Sequence, residues 1–372
     1  MKILYSCLSK SWGGMEMFTL TSIQQLLKRE IKVELVCAAD SRIHIEANNL
    51  GIMLHPVKAS GYFHPFTVVR LTLLLRQNNY TLVHTQASKD LWILVPALKL
   101  ANRKIPLFLT KQVGSFIVKK DFLHKFLYKR TRKIFAISTV IKNNVVETTP
   151  VKPDSVIVIP NGIDIQKFNL EKVDTFKVRN EFNIENDKIV IGMLARFTPG
   201  KGHEEFLFAA KELTKEYSNL CFLVVGEPSR GESEYADKIK QLAEEYELKN
   251  LIFTGYRSDT PEVLSAMDIF AFPSHSEAFG IALVEAMAMK KPSVCSRANG
   301  VLDIAVDGET SYLFENKNAG DLKARLKLLI ESKETRIRFG ENARRRAVEN
   351  FDIEKITERV LQIYREETKR IS

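Results

Sequence analysis

Alternation constrains this chain more than any other feature. Short apolar runs rich in Val, Ile, Leu and Phe are each followed by a longer amphipathic segment, and the pattern runs through twice. In the first half the runs fall at residues 2–7, 32–37, 53–55, 82–84, 107–110, 133–137 and 156–159. In the second they fall at 189–194, 221–225, 251–253, 269–272, 292–295 and 311–314. Helical periodicity occupies 14–29, 66–78 and 92–102, then 202–217, 234–246, 260–266, 278–289 and 319–331, before a charged helical tail. Runs this short and this apolar read as strands buried on both faces, and strand–helix alternation means a parallel sheet covered on both sides. The expectation is an α/β protein with two doubly wound parallel sheets, which suits 372 residues.

The boundary is read at Ile159-Pro160-Asn161-Gly162-Ile163-Asp164, where a β-run ends in Pro and a chain-turning Asn-Gly. Residues 1–165 are the expected first domain and 166–352 the second, with 353–372 a closing helix. Ligands of such sheets bind at the carboxyl ends of the strands, so two facing sheets would share a cleft. Cys7, Cys37, Cys221 and Cys295 lie too far apart for metal-ligand spacing and read as free core thiols of a reducing compartment. The apolar start, Met1–Leu8, is too short for a signal-peptide core, and Pro96 and Lys99 interrupt 91–101 well short of a membrane span. A cytoplasmic protein is expected, soluble or peripheral at a membrane face. Residues 1–160 carry 23 Lys/Arg against 9 Asp/Glu, a net of +14, whereas the remainder carries −4. The first half therefore suits an anionic partner.

Three segments can carry chemistry. After the first run, Ser11-Trp12-Gly13-Gly14-Met15-Glu16 leads into a helix. Gly13 and Gly14 let a ligand approach the backbone at a helix N-terminus, or simply make a turn. It is not a G-x-G-x-x-G dinucleotide fingerprint. At the head of the second half, Leu194-Ala195-Arg196-Phe197-Thr198-Pro199-Gly200-Lys201-Gly202 places two cations at a strand's carboxyl end, where a diphosphate would suit them. A solvated basic turn is the alternative. Then Pro273-Ser274-His275-Ser276-Glu277-Ala278-Phe279-Gly280-Ile281 runs into an apolar helix that contains Glu285. A carboxylate among Ile281, Leu283, Val284, Ala286 and Met287 is costly without a partner. Either an arginine pairs it, or it accepts from ribose hydroxyls while the N–H groups near Phe279, Gly280 and Ile281 take phosphate.

The Glu277…Glu285 spacing in PSHSEAFGIALVEAMA resembles the retaining glycosyltransferases of family 4, as do Arg196 and Lys201 in LARFTPGKG, the connector IPNGID, and the Gly-Gly loop. These landmarks occur in the family's order over essentially the whole chain. The resemblance implies the GT-B fold of two facing Rossmann-like domains with an interdomain cleft, and a last helix returning to the first domain. It implies a hexosyltransferase that uses a nucleotide-sugar donor, with UDP-hexose the first guess, and a glycan or lipid-linked acceptor of cell-surface polysaccharide or lipopolysaccharide synthesis. By it, Arg196 and Lys201 hold the donor diphosphate, Glu285 the ribose, Glu277 the transferred sugar, and Gly14 lies against the donor. No cofactor or metal is implied, and the sequence has no D-x-D element.

Two places depart from the family pattern. Gln112, in Lys111-Gln112-Val113, stands where a loop His is common, and His84 is single where a pair is expected. His84, Lys111 and Gln112 are the acceptor-side candidates. Residues 119–133 read as one basic amphipathic helix with seven cations, its apolar stripe packed on the first domain and its cations facing anionic lipid or a phosphorylated glycan. A nucleotide-sugar epimerase and a non-catalytic nucleotide- or nucleic-acid-binding protein are the competing readings. The chain has no zinc or helix-turn-helix signature and no aromatic platform for nucleic acid, and transfer to an acceptor separates the other two.

Overall fold

The computed structural model describes residues 1–58, 61–229 and 231–370. The chain divides into two compact units, Met1–Asn161 with the segment from Ile353 onward, and Gly162–Asp352. The division falls a few residues before the expected 165, within the Asn-Gly turn.

The first unit holds seven strands: β1 (Lys2–Cys7), β2 (Lys32–Ala38), β3 (Met53–Val57), β4 (Leu82–Thr85), β5 (Leu107–Lys111), β6 (Thr131–Ala136) and β7 (Val156–Val158). Their order is β3-β2-β1-β4-β5-β6-β7, every pair parallel. The second unit holds β8 (Ile189–Leu194), β9 (Leu220–Val225), β10 (Leu251–Gly255), β11 (Ile269–Phe272), β12 (Ser293–Ser296) and β13 (Ser311–Phe314). Their order is β10-β9-β8-β11-β12-β13, again all parallel. Both sheets are Rossmann-like: the order reverses between β1 and β4 in one and between β8 and β11 in the other, so each has a switch point where a ligand can sit.

Helices cover both sheets because most strand residues are apolar and buried. Ile3, Leu35, Leu82, Phe108 and Phe135 form one core with Tyr364 of the last helix, Ile353–Lys369. Ile191, Phe206, Phe222, Ile269 and Phe339 form the other. The charged tail is two helices, not one: Lys333–Asn350 ends at Phe351, and Ile353–Lys369 packs on Gly14–Leu27 of the first unit. Arg29 joins them by pairing with both Glu354 and Glu358. All four cysteines are free and buried.

The basic stretch 119–133 departs from expectation. Only Phe122–Tyr128 is helical, capped by Asp121, and Thr131–Ala136 is strand β6. Leu127 and Tyr128 pack inward, but Phe122 is 81 % exposed and Leu123 is also exposed. A seven-residue helix has one buried flank, so the rest of the apolar stripe stays in solvent, with Phe116, Ile117, Phe63 and Phe66 exposed as well. No helix among the described residues is long and apolar enough to cross a membrane.

Candidate active site

In the second unit, two loops leave the adjacent strands β8 and β11 at the switch point. The first, 195–202, turns through Gly200 and Gly202 in the left-handed region, φ 86° and 80°. Gly202 is required twice over. Its φ is unfavourable for a side chain, and a Cβ would come within 2.3 Å of the Pro273 carbonyl oxygen. That close approach locks the first loop onto the second, and the His275 N–H donates to the Gly200 carbonyl at 2.8 Å.

The contact brings sequence-distant candidates together. Lys201 Nζ lies 2.5 Å from Glu277 Oε1, both side chains partly buried. Arg196 is exposed, with one guanidinium nitrogen donating to the Ser229 hydroxyl at 3.1 Å. The Gly300 N–H donates to the Glu277 carbonyl at 3.0 Å, and Asn299 donates to the Ser276 hydroxyl at 2.7 Å, which fixes the second loop from its far side. His275 pairs with Glu205 at 2.7 Å. Ser229, Glu205 and Asn299 carry no motif and were not legible as site neighbours, and His275 lies in the quoted motif without a role read for it.

The helix Ile281–Ala288 begins after Gly280, whose φ is 115° and whose missing side chain leaves room for the Phe272 ring. Phe279 and Gly280 are buried, while Ile281, the first helical residue, is exposed. The first N–H groups of a helix have no intrahelical acceptor, and they carry the positive end of the dipole. About one turn on, Glu285 is half-buried, and among the described residues its carboxylate takes no hydrogen bond or ion pair. No arginine among the described residues pairs with it. Burial pushes its pKa up to about 7, offset only by the charge of Lys167. A carboxylate in this state has acceptor capacity that hydroxyl donors can fill.

In the first unit, Gly13 caps the helix Gly14–Leu27 with extended backbone, and a side chain at Gly14 would meet nothing within 4 Å. Packing does not require that glycine. At the ends of β1 and β4, buried Asp90 accepts from Ser6 at 2.7 Å, Thr85 at 2.9 Å and the Leu8 N–H at 3.2 Å, tying the switch point together. Burial raises its pKa to about 6 despite these donors.

The three acceptor-side candidates are all buried. His84 is 2 % exposed, stacked on Tyr5, with one ring nitrogen on Thr110 at 2.8 Å and the other on Tyr364. Burial drives its pKa down to about 3, so it is a neutral core residue. Gln112 accepts from Asn161 at 3.1 Å while its amide nitrogen has no partner. Lys111 reaches the Ser88 hydroxyl at 3.5 Å.

One of the two Rossmann-like sheets gathers cations, a carboxylate and a helix N-terminus at its switch point, an arrangement whose chemistry suits an anionic ligand. The chain matches the family model for glycosyl transferases group 1 over residues 174–346 and that for glycosyltransferase family 4 over 12–167. It belongs to glycosyltransferase family 4 and is a glycosyltransferase of GT-B fold. It is 25 % identical over 362 residues to the capsular polysaccharide biosynthesis glycosyltransferase CapM of Staphylococcus aureus, covering 92 % of each chain. It is 25 % identical over 311 residues to the UDP-Gal:alpha-D-GlcNAc-diphosphoundecaprenol alpha-1,3-galactosyltransferase of Escherichia coli, covering 80 % of this chain and 78 % of that one. Its fold matches the crystal structure of a glycosyltransferase from Rickettsia africae with a TM-score of 0.89, at 22 % identity over 99 % of this chain and 98 % of that one.

Proposed function

We propose that this glycosyltransferase is a retaining, metal-independent hexosyltransferase. It takes its sugar from a UDP-hexose and gives it to a glycan or lipid-linked acceptor in cell-surface polysaccharide or lipopolysaccharide synthesis. The observation that carries the reading is the Lys201–Glu277 pair held at the switch point by the Gly202–Pro273 contact, on the loop that leads to partnerless Glu285. In this reading Lys201 and Arg196 bind the diphosphate, together with the N–H groups of Gly280 and Ile281. They stabilise the charge that develops as the nucleotide leaves. Glu285 accepts from the ribose hydroxyls, and Glu277 orients both Lys201 and the transferred sugar. Gly13 and Gly14 belong to the donor-binding set as well.

The reaction is front-face displacement. The bond from the anomeric carbon to the phosphate oxygen breaks while one to the acceptor oxygen forms on the same face. The acceptor's proton passes to the departing phosphate. CapM and the E. coli galactosyltransferase, whose names record capsule synthesis and a UDP-sugar used on a diphosphoundecaprenol-linked acceptor, support the substrate classes. The first half's positive charge and its exposed Phe63, Phe66, Phe116 and Phe122 support peripheral docking at the inner face of a membrane.

The test incubates the protein with UDP-glucose, UDP-galactose and UDP-N-acetylhexosamines, each with and without a lipid-diphosphate sugar, in chelator. Acceptor-dependent UDP release with an α-configured product by proton NMR is expected. Free sugar formed equally without acceptor would identify an epimerase-type hydrolysis instead, and a β-linked product would overturn retention.

A further inference from the structure

The first unit carries a second concavity, of about 330 Å³, that the donor reading does not use. Tyr62 and Trp92 form its wall, edge to face with centroids 5.5 Å apart. The Lys89 ammonium stands 5.3 Å from the Tyr62 ring centroid, and Lys119 lines the same space. Tyr128 also lines it, its hydroxyl beside the Ser88 side chain. That residue is 3 % exposed, and its oxygen is buried with no hydrogen bond of good geometry among the described residues. Ser88, another lining residue, takes the Lys111 ammonium at 3.5 Å.

The charge here is one-sided. Among the described residues Lys89, Lys111 and Lys119 form no ion pair. Asp121 is engaged by His124, and Asp90 is turned to Ser6, Thr85 and Leu8. Burial and the charge of Lys119 hold the Lys111 pKa down to about 8, as expected of cations gathered without a counter-ion. Aromatic walls, cations and a buried hydroxyl without an acceptor suit a sugar carrying phosphate.

We propose that this pocket binds the phosphate-bearing end of a sugar phosphate or sugar diphosphate acceptor, with Lys89 and Lys119 on the phosphate, the Tyr128 hydroxyl donating to it, and Trp92 and Tyr62 against the sugar. The assignment rests on the transferase reading above. Exposed Ile117 at the pocket's edge, with Phe116 and Phe122 exposed near it in sequence, gives a hydrocarbon chain on that phosphate an apolar exit.

Trp92 is one of only two tryptophans, so Trp12→Phe leaves it as the sole reporter of the pocket. Its emission is followed during titration with N-acetylglucosamine 1-phosphate, with a short-chain prenyl diphosphate N-acetylglucosamine, with N-acetylglucosamine, and with phosphatidylglycerol vesicles. Both phosphorylated sugars should shift the emission and the neutral sugar should not. Lys89→Gln with Lys119→Gln should weaken that binding roughly tenfold or more, and Tyr128→Phe should weaken it in the same direction. UDP affinity, read by thermal shift, should be unchanged. A stronger response to the prenyl compound would show that the chain exit is used. No response to either phosphorylated sugar, or an unweakened one in the double lysine variant, would overturn the proposal. A vesicle response of equal size and equal lysine dependence would assign the pocket to bilayer headgroups and overturn it as well. Intact titration with no UDP-hexose turnover by the wild-type protein on any acceptor would instead sink the transferase reading and, with it, the acceptor label.

Discussion

Lys201 Nζ is held 2.5 Å from Glu277 Oε1, across the two loops that leave neighbouring strands β8 and β11. A cation paired this way is positioned before any ligand arrives, which lowers the reorganisation needed when negative charge develops beside it. The carboxylate cannot stabilise that charge itself, so in the proposed reading its part is to aim the lysine and to meet the sugar.

The first prediction follows from this division of roles. Lys201→Ala should lower kcat by about 10²–10³, the usual cost of removing one transition-state donor. Stability should change far less, because the pair is only partly buried. Arg196→Ala should behave alike, since Arg196 is exposed and among the described residues its guanidinium is hydrogen-bonded to the Ser229 hydroxyl alone. Steady-state kinetics beside thermal melts decide it. A folded variant with wild-type kcat would move the diphosphate elsewhere.

Glu285 gives a prediction with a definite sign. Burial raises its pKa to about 7, above the ordinary carboxylate value of about 4.3. The native state therefore holds a proton that the unfolded chain has released between those values. Stability from this group is full below about pH 4 and is lost as pH rises through 7. Glu285→Gln should melt with the wild type near pH 4 and above it at pH 8. Ribose hydroxyls favour the charged form, so wild-type UDP affinity should rise from pH 6 to pH 8 while that of the Gln variant stays flat. At pH 8 the variant should bind UDP about 1–3 kcal/mol more weakly, and 2′-deoxy-UDP should lose as much on the wild type. Equal affinity of the wild type for UDP and its 2′-deoxy form would remove Glu285 from the ribose.

Every strand was legible, because a buried parallel strand needs an apolar run and little else does in so few residues. The helices Arg42–Asn49 and Thr139–Thr148 were not: they are short and polar, and their starts depend on single caps, Ser41 and Ser138. At the site, the residue types in each loop could be read, but not the pairing of Lys201 with Glu277 across 76 positions. Glu285's lack of an arginine partner was equally hidden, since apolar neighbours in sequence say nothing of what arrives from other elements. The burial of His84 was hidden for the same reason. A histidine at a strand end looks alike whether its ring faces solvent or core, and its partners Thr110 and Tyr364 lie 26 and 280 residues away.

Gly14 allows a test in which fold and function separate. Among the described residues nothing outside its own helix backbone lies within 4 Å of a Cβ at this position, so Gly14→Val should melt within a few degrees of the wild type. If the donor lies against that backbone, kcat/KM for the UDP-hexose should fall by roughly tenfold or more, as an added side chain blocks close approach. Unchanged donor kinetics in a folded Gly14→Val protein would show that this loop is a turn and nothing more.

The last prediction concerns the membrane. Phe116 and Phe122 are almost fully exposed in the segment that also holds Lys119, Lys120, Lys125 and Lys129. An apolar surface ringed by cations gains twice at an anionic bilayer: buried rings contribute in proportion to area, and lysines contribute about 1 kcal/mol each near the surface. The two contributions respond differently to salt, because exposed charges are screened within about 8 Å at physiological ionic strength whereas apolar burial is not. Replacing the four lysines by Gln should therefore abolish the salt-sensitive part of co-sedimentation with phosphatidylglycerol vesicles. Phe116→Ser with Phe122→Ser should abolish the part that survives moderate salt, and neither set should alter UDP affinity. Wild-type protein that ignores anionic vesicles even at low salt, while glycosylating a soluble neutral sugar as fast as a lipid-linked one, would leave these rings without a bilayer to meet.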